Sequence, residues 1–239
     1  MRGARALAEA FPGLPQVACF DSSFHRTMPE VAQIYALPKD VRDCGVRHWG
    51  YHGISYDYIS RQIAKFAPQA RRVIAAHLGG GASMCATLDG RSIETTMGFA
   101  GVSGLPMATR SGDVPPDVLF YLLRRKLFDD ASLEKMLYER AGLLGLSGIS
   151  DDMRVLQESA DPPAVAAVEY FVYAMMKYAG AYVAEHGAVP QVGVARREPG
   201  QAGERFERTA HFHPGQPSVG LGHPHERGTD DRAAHAGAR

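Results

Sequence analysis

Residues 71–96, RRVIAAHLGGGASMCATLDGRSIETT, limit what this chain can become more than any other stretch. A β-prone apolar run is interrupted by three consecutive glycines, continues through ASMCATL, and meets Asp89-Gly90 before SIETT. Asp-Gly between apolar runs is a strong hairpin signal, because the central positions of the tight turn need positive φ. The segment therefore reads as two strands, the first interrupted by the glycines and the second returning after Asp89-Gly90.

Helical patterns flank this segment, so the fold class is α/β. MPEVAQIYALP (28–38) and SYDYISRQIAKF (55–66) have helical spacing, and Ser55 is a suitable N-cap for the second. Pro116–Lys126 and Ser132–Arg140 are helical, and PPAVAAVEYFVYAMMKYAGAYVAEH (162–186) is the longest helix. Its Val165, Val168, Phe171, Val172, Met175, Met176 and Ala179 share a broad apolar face that predicts core packing. PQVACF (15–20) reads as a short buried strand that stops at Asp21, the end of a strand at which α/β proteins keep their sites. After about residue 187 the texture shifts to Arg, Gly, Pro, Ala and His, with no Lys, Ile or Met, which marks a boundary.

Composition narrows the function class. Lys plus Arg and Asp plus Glu both number 26, so no global field draws nucleic acid or an anionic membrane. An anionic ligand must be held by local groups. No stretch reaches the roughly 18 apolar residues of a spanning helix, and MRGARALAEAFPG lacks the apolar centre of a signal peptide. Cys19, Cys44 and Cys85 form no pattern, which predicts reduced thiols in a cytoplasmic protein.

Four short stretches hold the chemistry. HLGGGAS (77–83) ends an apolar strand in bare backbone amides that could approach phosphate oxygens, although a bulge or tight turn needs glycines as often. TRSGD (109–113) sets the permanent charge of Arg110 among small residues, suited either to a planar oxyanion or to a structural pair with Asp113. FDSSFH (20–25) and WGYHG (49–53) each place a titratable group beside aromatics or glycine. GISDDMR (148–154) puts Asp151 and Asp152 at a helix start, where acidic residues commonly just satisfy the helix dipole.

Together and in order, FDSSFHRTMP, YALP, GVRHWGYHGISYDYI, HLGGGAS, TTMGF, TRSGD, GLLGLSGISDDMR and KYAGAY resemble the acetate kinases of the acetokinase family along residues 12–184. The resemblance implies an actin-like, ribonuclease-H-type fold of the sugar kinase and Hsp70 superfamily. It implies reversible phosphoryl transfer between ATP and acetate, Mg²⁺ as metal, a small-molecule partner rather than nucleic acid or membrane, and a homodimer in the cytoplasm. Asp21 resembles the family's active-site carboxylate, and His52 and Arg110 resemble the pair that stabilises the transition state. His77, Leu78, Gly79, Gly80 and Gly81 resemble the ATP phosphate loop, and Asp152, Met153 and Arg154 a second nucleotide contact. Gly80 stands where acetate kinases usually have Asn, and three glycines also resemble the butyrate kinases, so a butyrate- or propionate-type acyl kinase is the alternative.

On this resemblance residues 1–23 are a remnant of the family's N-terminal domain and 24–186 an incomplete C-terminal nucleotide-binding domain. Residues 187–239 are expected to be an out-of-frame, disordered tail. Back-translated with permitted codons and read one nucleotide later, GHPHERGTDDRAAH (222–235) gives Val-Ile-Pro-Thr-Asn-Glu-Glu-Leu-Met-Ile-Ala-Arg-His-Thr, which resembles the family's C-terminal signature. The His211/His213 and His223/His225 pairs are then accidents of frame rather than a metal site. The family's Mg²⁺-binding Glu would lie in that lost frame, so an inactive chain is expected, and a non-enzymatic decayed fragment is the competing reading.

Overall fold

The computed structural model describes residues 2–186, 191–196 and 205–210, with side chains from 3 to 184. In chain order it runs through α1 (Arg2–Ala10), a 3₁₀ turn (Asp21–Thr27), α2 (Glu30–Gln33), α3 (Lys39–Asp43) and α4 (Gly53–Phe66). Strands β1 (Arg72–Leu78), β2 (Ala82–Leu88) and β3 (Arg91–Thr95) follow. Then come α5 (Pro116–Arg124), α6 (Asp130–Glu139), α7 (Gly142–Ser147), α8 (Met153–Glu158) and α9 (Pro162–His186), and finally β4 (Gln191–Arg196) and β5 (Arg205–Ala210).

The strands form one sheet in the order β3-β2-β1-β4-β5. Strands β1, β2 and β3 are an antiparallel meander, and β4 joins β1 in parallel. The glycines of the 77–83 stretch therefore do not interrupt one strand. They end β1 and reverse the chain, so 71–96 holds three strands where two were expected. Asp89 (φ 51°) and Gly90 (φ 74°) form the second reversal as predicted. β5 runs antiparallel to β4, because residues 197–204 are too few for the crossover that parallel strands require. Both strands fall within the 187–239 stretch expected to lack order; its two H-x-H pairs lie outside the described residues.

Pleat alternation divides the sheet's two faces between two helices. Ile74, Ala76, Ala82, Met84 and Ala86 point to one face and pack with Ala164, Ala167, Phe171 and Tyr182 of α9. Val168, Ala174, Met175, Tyr178, Ala179 and Val183 extend this helical seam. The seam is rotated from the expected face: Val165 is 42% and Met176 41% exposed, while the small Ala164 and Ala167 let the backbone approach the sheet. On the opposite face Ala75 and Cys85 pack with Tyr56 and Ile59 of α4.

Two other expectations fail for identifiable reasons. Residues 15–20 form no strand and Val17 is 87% exposed, because no described strand lies alongside to satisfy and cover it. The 28–38 helix shrinks to α2, closed off by extended backbone at Ile34 (φ −104°, ψ 148°).

A Cβ on Gly53 would lie 1.9 Å from the Asp21 carbonyl oxygen, so the 3₁₀ turn and α4 meet backbone to backbone. Gly180, inside α9, has nothing within 4 Å of such a Cβ. Gly53→Ala should therefore destabilise the fold by about 1–3 kcal/mol or more through overpacking. Gly180→Ala should instead stabilise by about 0.5–1 kcal/mol. Urea midpoints of the two variants against the parent check both signs.

Candidate active site

The site is built where β1 turns into β2. Register pairs His77 directly with Ser83 across the glycine turn, and both side chains project toward α4. Gly79 N–H donates to the Gly81 carbonyl at 3.0 Å, which closes the reversal, and Ala108 N–H donates to the Gly80 carbonyl at 3.2 Å. This second bond fastens the glycine turn to the loop that carries Arg110.

His52 enters from the N-terminus of α4. It is the N-cap residue in a left-handed conformation (φ 59°, ψ 23°), and its own side chain makes no cap. Asp21 caps the helix instead: Oδ2 accepts His52 N–H at 2.5 Å and Oδ1 accepts Ile54 N–H at 3.1 Å. The carboxylate thus answers orphan amides at a helix N-terminus, a favourable place for negative charge. Ser55, expected to cap this helix, lies inside it, and its hydroxyl meets His77 Nδ1 at 3.0 Å.

With its backbone pinned, the His52 ring stacks on His77 with centroids 4.1 Å apart and planes at 25°. Its Nδ1 lies 2.8 Å from Ser83 Oγ, which in turn lies 2.6 Å from the Tyr56 hydroxyl. The far nitrogen faces the glycine turn: a Cβ on Gly81 would sit 3.2 Å from His52 Nε2 and 3.8 Å from Arg110 Nη1. Only a glycine leaves that gap free of side chain, and the two donors converge across it.

Arg110 does not pair with Asp113. Its Nη1 donates to the Gly101 carbonyl at 2.9 Å. Asp113 instead accepts Gly104 N–H at 2.8 Å and the Tyr178 hydroxyl. No carboxylate among the described residues neutralises the guanidinium, which keeps its charge available for an anion.

Burial and the neighbouring His77 pull the His52 pKa down to about 4, with Arg110 and His25 adding to the effect and Asp21 opposing it. At neutral pH the ring is an uncharged donor-acceptor. His25 plays a structural part, its Nε2 donating to the Tyr51 carbonyl at 2.9 Å and its Nδ1 meeting Ser92 Oγ at 2.8 Å. It braces the 3₁₀ turn against β3 and the chain leading into His52.

Asp152 caps α8 by accepting Arg154 N–H at 2.9 Å, and its carboxylate pairs with the Arg154 guanidinium at 2.6 Å. That pairing holds the Asp152 carboxyl down to about 2. Asp152 and Arg154 bond one another, and Met153 packs against the cluster on the α9 face rather than the α4 face that carries His77 and Ser83. Ser83 and Tyr56 were not singled out in the sequence. The signal was present: a reversal at Gly79–Gly81 sets His77 opposite Ser83.

The acetokinase family model matches residues 1–192. The chain belongs to the acetokinase family. It is 50% identical over 187 residues to an acetate kinase of Rhodopseudomonas palustris, covering 77% of this chain and 47% of that protein. An acetate kinase of Nitrobacter hamburgensis is 52% identical over 178 residues, covering 74% of this chain and 44% of the relative. The crystal structure of Porphyromonas gingivalis acetate kinase superposes with a TM-score of 0.74 at 37% identity, over 78% of this chain and 48% of that one. A propionate kinase from Francisella tularensis gives 0.74 at 38% identity, over 77% and 49%. The fold is thus the actin-like one of these kinases, and this acetokinase chain spans about half the length of the curated relatives it matches.

The depressed His52 pKa has a thermodynamic consequence. Between about pH 4 and the unfolded value of 6.5 the unfolded ring binds the proton and the folded ring resists it. The contribution is whole above pH 6.5 and is lost as pH falls toward 4. Urea midpoints should therefore drop between pH 7 and 4.5, and His52→Gln should flatten that slope.

Proposed function

We propose that this chain carries the C-terminal-domain half of the active site of an ATP:acetate phosphotransferase, acting in the cytoplasm as a homodimer. The observation that carries the reading is the convergence of His52 Nε2 and Arg110 Nη1 over Gly81. In-line phosphoryl transfer spreads charge over three equatorial oxygens, and donors already aimed at that position supply most of the catalysis. A carboxylate oxygen of acetate attacks the γ-phosphorus, and the bond to the β–γ bridging oxygen breaks. Acetyl phosphate and ADP form, and the same donors serve the reverse direction.

Arg110 offers fixed charge to the moving phosphoryl group, and neutral His52 offers a directed N–H. Asp21, whose two oxygens hold His52 N–H and Ile54 N–H, acts by fixing where His52 points. The exposed Gly79 and Gly80, following His77 and Leu78, fit an ATP phosphate: a Cβ on Gly80 would meet nothing within 4 Å, so oxygens can reach the backbone there. Asp152, Met153 and Arg154 are the proposed second nucleotide contact. Among the described residues no group of three metal-capable side chains gathers; a Mg²⁺ arriving with ATP would be held chiefly by the phosphates, with one or two carboxylates.

A second reading, a butyrate- or propionate-type acyl kinase, is supported by Gly80 on the butyrate side and by the Francisella tularensis propionate kinase neighbour. The ratio of kcat/KM for acetate against propionate and butyrate separates the two. We further propose that residues 1–239 alone turn over negligibly, as positioning of both substrates is shared with segments the relatives carry beyond this half. ATP-dependent acetyl phosphate formation should stay more than tenfold below the typical enzyme median of about 10 s⁻¹.

Joined to those segments, the chain should make acetyl phosphate. Arg110→Ala should then lower kcat by about 10²–10³-fold while nucleotide affinity changes little. A variant with parental kcat removes Arg110 from the transition state.

A further inference from the structure

We propose that Ser83, itself held by Tyr56, is a positioning residue that locks His52 as the neutral tautomer with its proton on Nε2, aimed across Gly81 toward Arg110. Tyr56 and Ser83 are both 0% exposed, so every proton they carry needs a partner inside the protein. Burial keeps the Tyr56 phenol protonated, and Ser83 is its hydroxyl's one side-chain partner among the described residues. Its proton is left with one acceptor, Ser83 Oγ at 2.6 Å. The Ser83 proton must then turn to its other neighbour, His52 Nδ1 at 2.8 Å. A neutral ring that accepts at Nδ1 carries its proton on Nε2, the nitrogen 3.2 Å from a Cβ on Gly81.

The reversed chain is unfavourable. If His52 Nδ1 donated to Ser83 and Ser83 to Tyr56, the buried phenol proton would lose its acceptor. Protonating His52 forces that reversal, because an imidazolium donates from both nitrogens. The lock thus resists the cationic form on geometry alone. It adds to the groups facing His52 from each packed element: His77 on β1, Arg110 on its loop, and Asp21 and His25 on the 3₁₀ turn.

The functional purpose of the lock rests on the phosphotransferase reading; its existence does not. A fixed Nε2–H gives a transferring phosphoryl group a directed donor that does not part with its proton. Arg110 alone then supplies full charge.

The test reads the ring nitrogens of His52 in the 239-residue chain by long-range ¹H–¹⁵N correlation, with the signals assigned by comparison with His52→Gln. At pH 7 Nδ1 should show the shift of a bare acceptor and Nε2 that of a protonated nitrogen. The titration midpoint should lie near 4. Ser83→Ala removes the donor to Nδ1 and should raise that midpoint by about a unit or more, a roughly tenfold gain in proton affinity. Tyr56→Phe, which keeps Ser83 but frees its proton to turn away, should raise it in the same direction and serves if Ser83→Ala does not fold. A parental ring protonated on Nδ1 or charged at pH 7 overturns the proposal, as does a midpoint unmoved or lowered in the folded variant. Since no turnover is measured, failure of the kinase reading leaves every one of these signals where it is.

Discussion

The Asp21 carboxylate at the start of α4 is the contact on which the rest of the site depends. A left-handed non-glycine residue costs about 1–2 kcal/mol, and His52 is held in that state. Two hydrogen bonds from backbone amides to a charged carboxylate, at about 1.5–3 kcal/mol each for a charged group, are large enough to offset it. Without the clamp, α4 would begin with orphan amides and His52 would relax. The stack on His77 and the bond to Ser83 both require the ring to leave the backbone at this one angle.

Much of this was legible in the sequence. The Asp89-Gly90 turn, α9 and the functional stretches around Asp21, His52, His77 and Arg110 are local patterns, and local patterns survive folding. Three of the failures concern partners distant along the chain. PQVACF has strand composition but no described strand beside it. Ser55 has a capping side chain, yet Asp21 arrives from 31 residues away to take the role. TRSGD left Arg110 undecided between ligand and Asp113. The decision came from Gly104 and Tyr178, which take up Asp113.

The division of the sheet explains why the site sits on one side only. The face against α9 is filled at its centre by Ile74, Ala76, Met84 and Phe171. The face against α4 carries a shorter apolar patch of Ala75, Cys85, Tyr56 and Ile59. Beyond that patch, one more step of the pleat places His77 and Ser83 at its edge. Stability and chemistry are thereby assigned to opposite sides of the same strands. Substitutions at Ile74 and Ala76 act on the fold, whereas that at His77 acts on the site.

The pairing of β1 with β4 sets an order of events during synthesis. Val73 meets Gln191 and Leu78 meets Arg196, so the middle strand of the sheet waits for its second neighbour until most of the described chain exists. At translation rates of about 5–20 residues per second, that wait is on the order of ten seconds. Throughout it, one row of β1 amides and carbonyls is an open edge of the kind that pairs with other chains. The meander on the other side is complete early, its reversals being short. A nascent molecule therefore emerges with half of its sheet closed and its central strand still seeking a partner, the moment at which a chaperone has most to offer it.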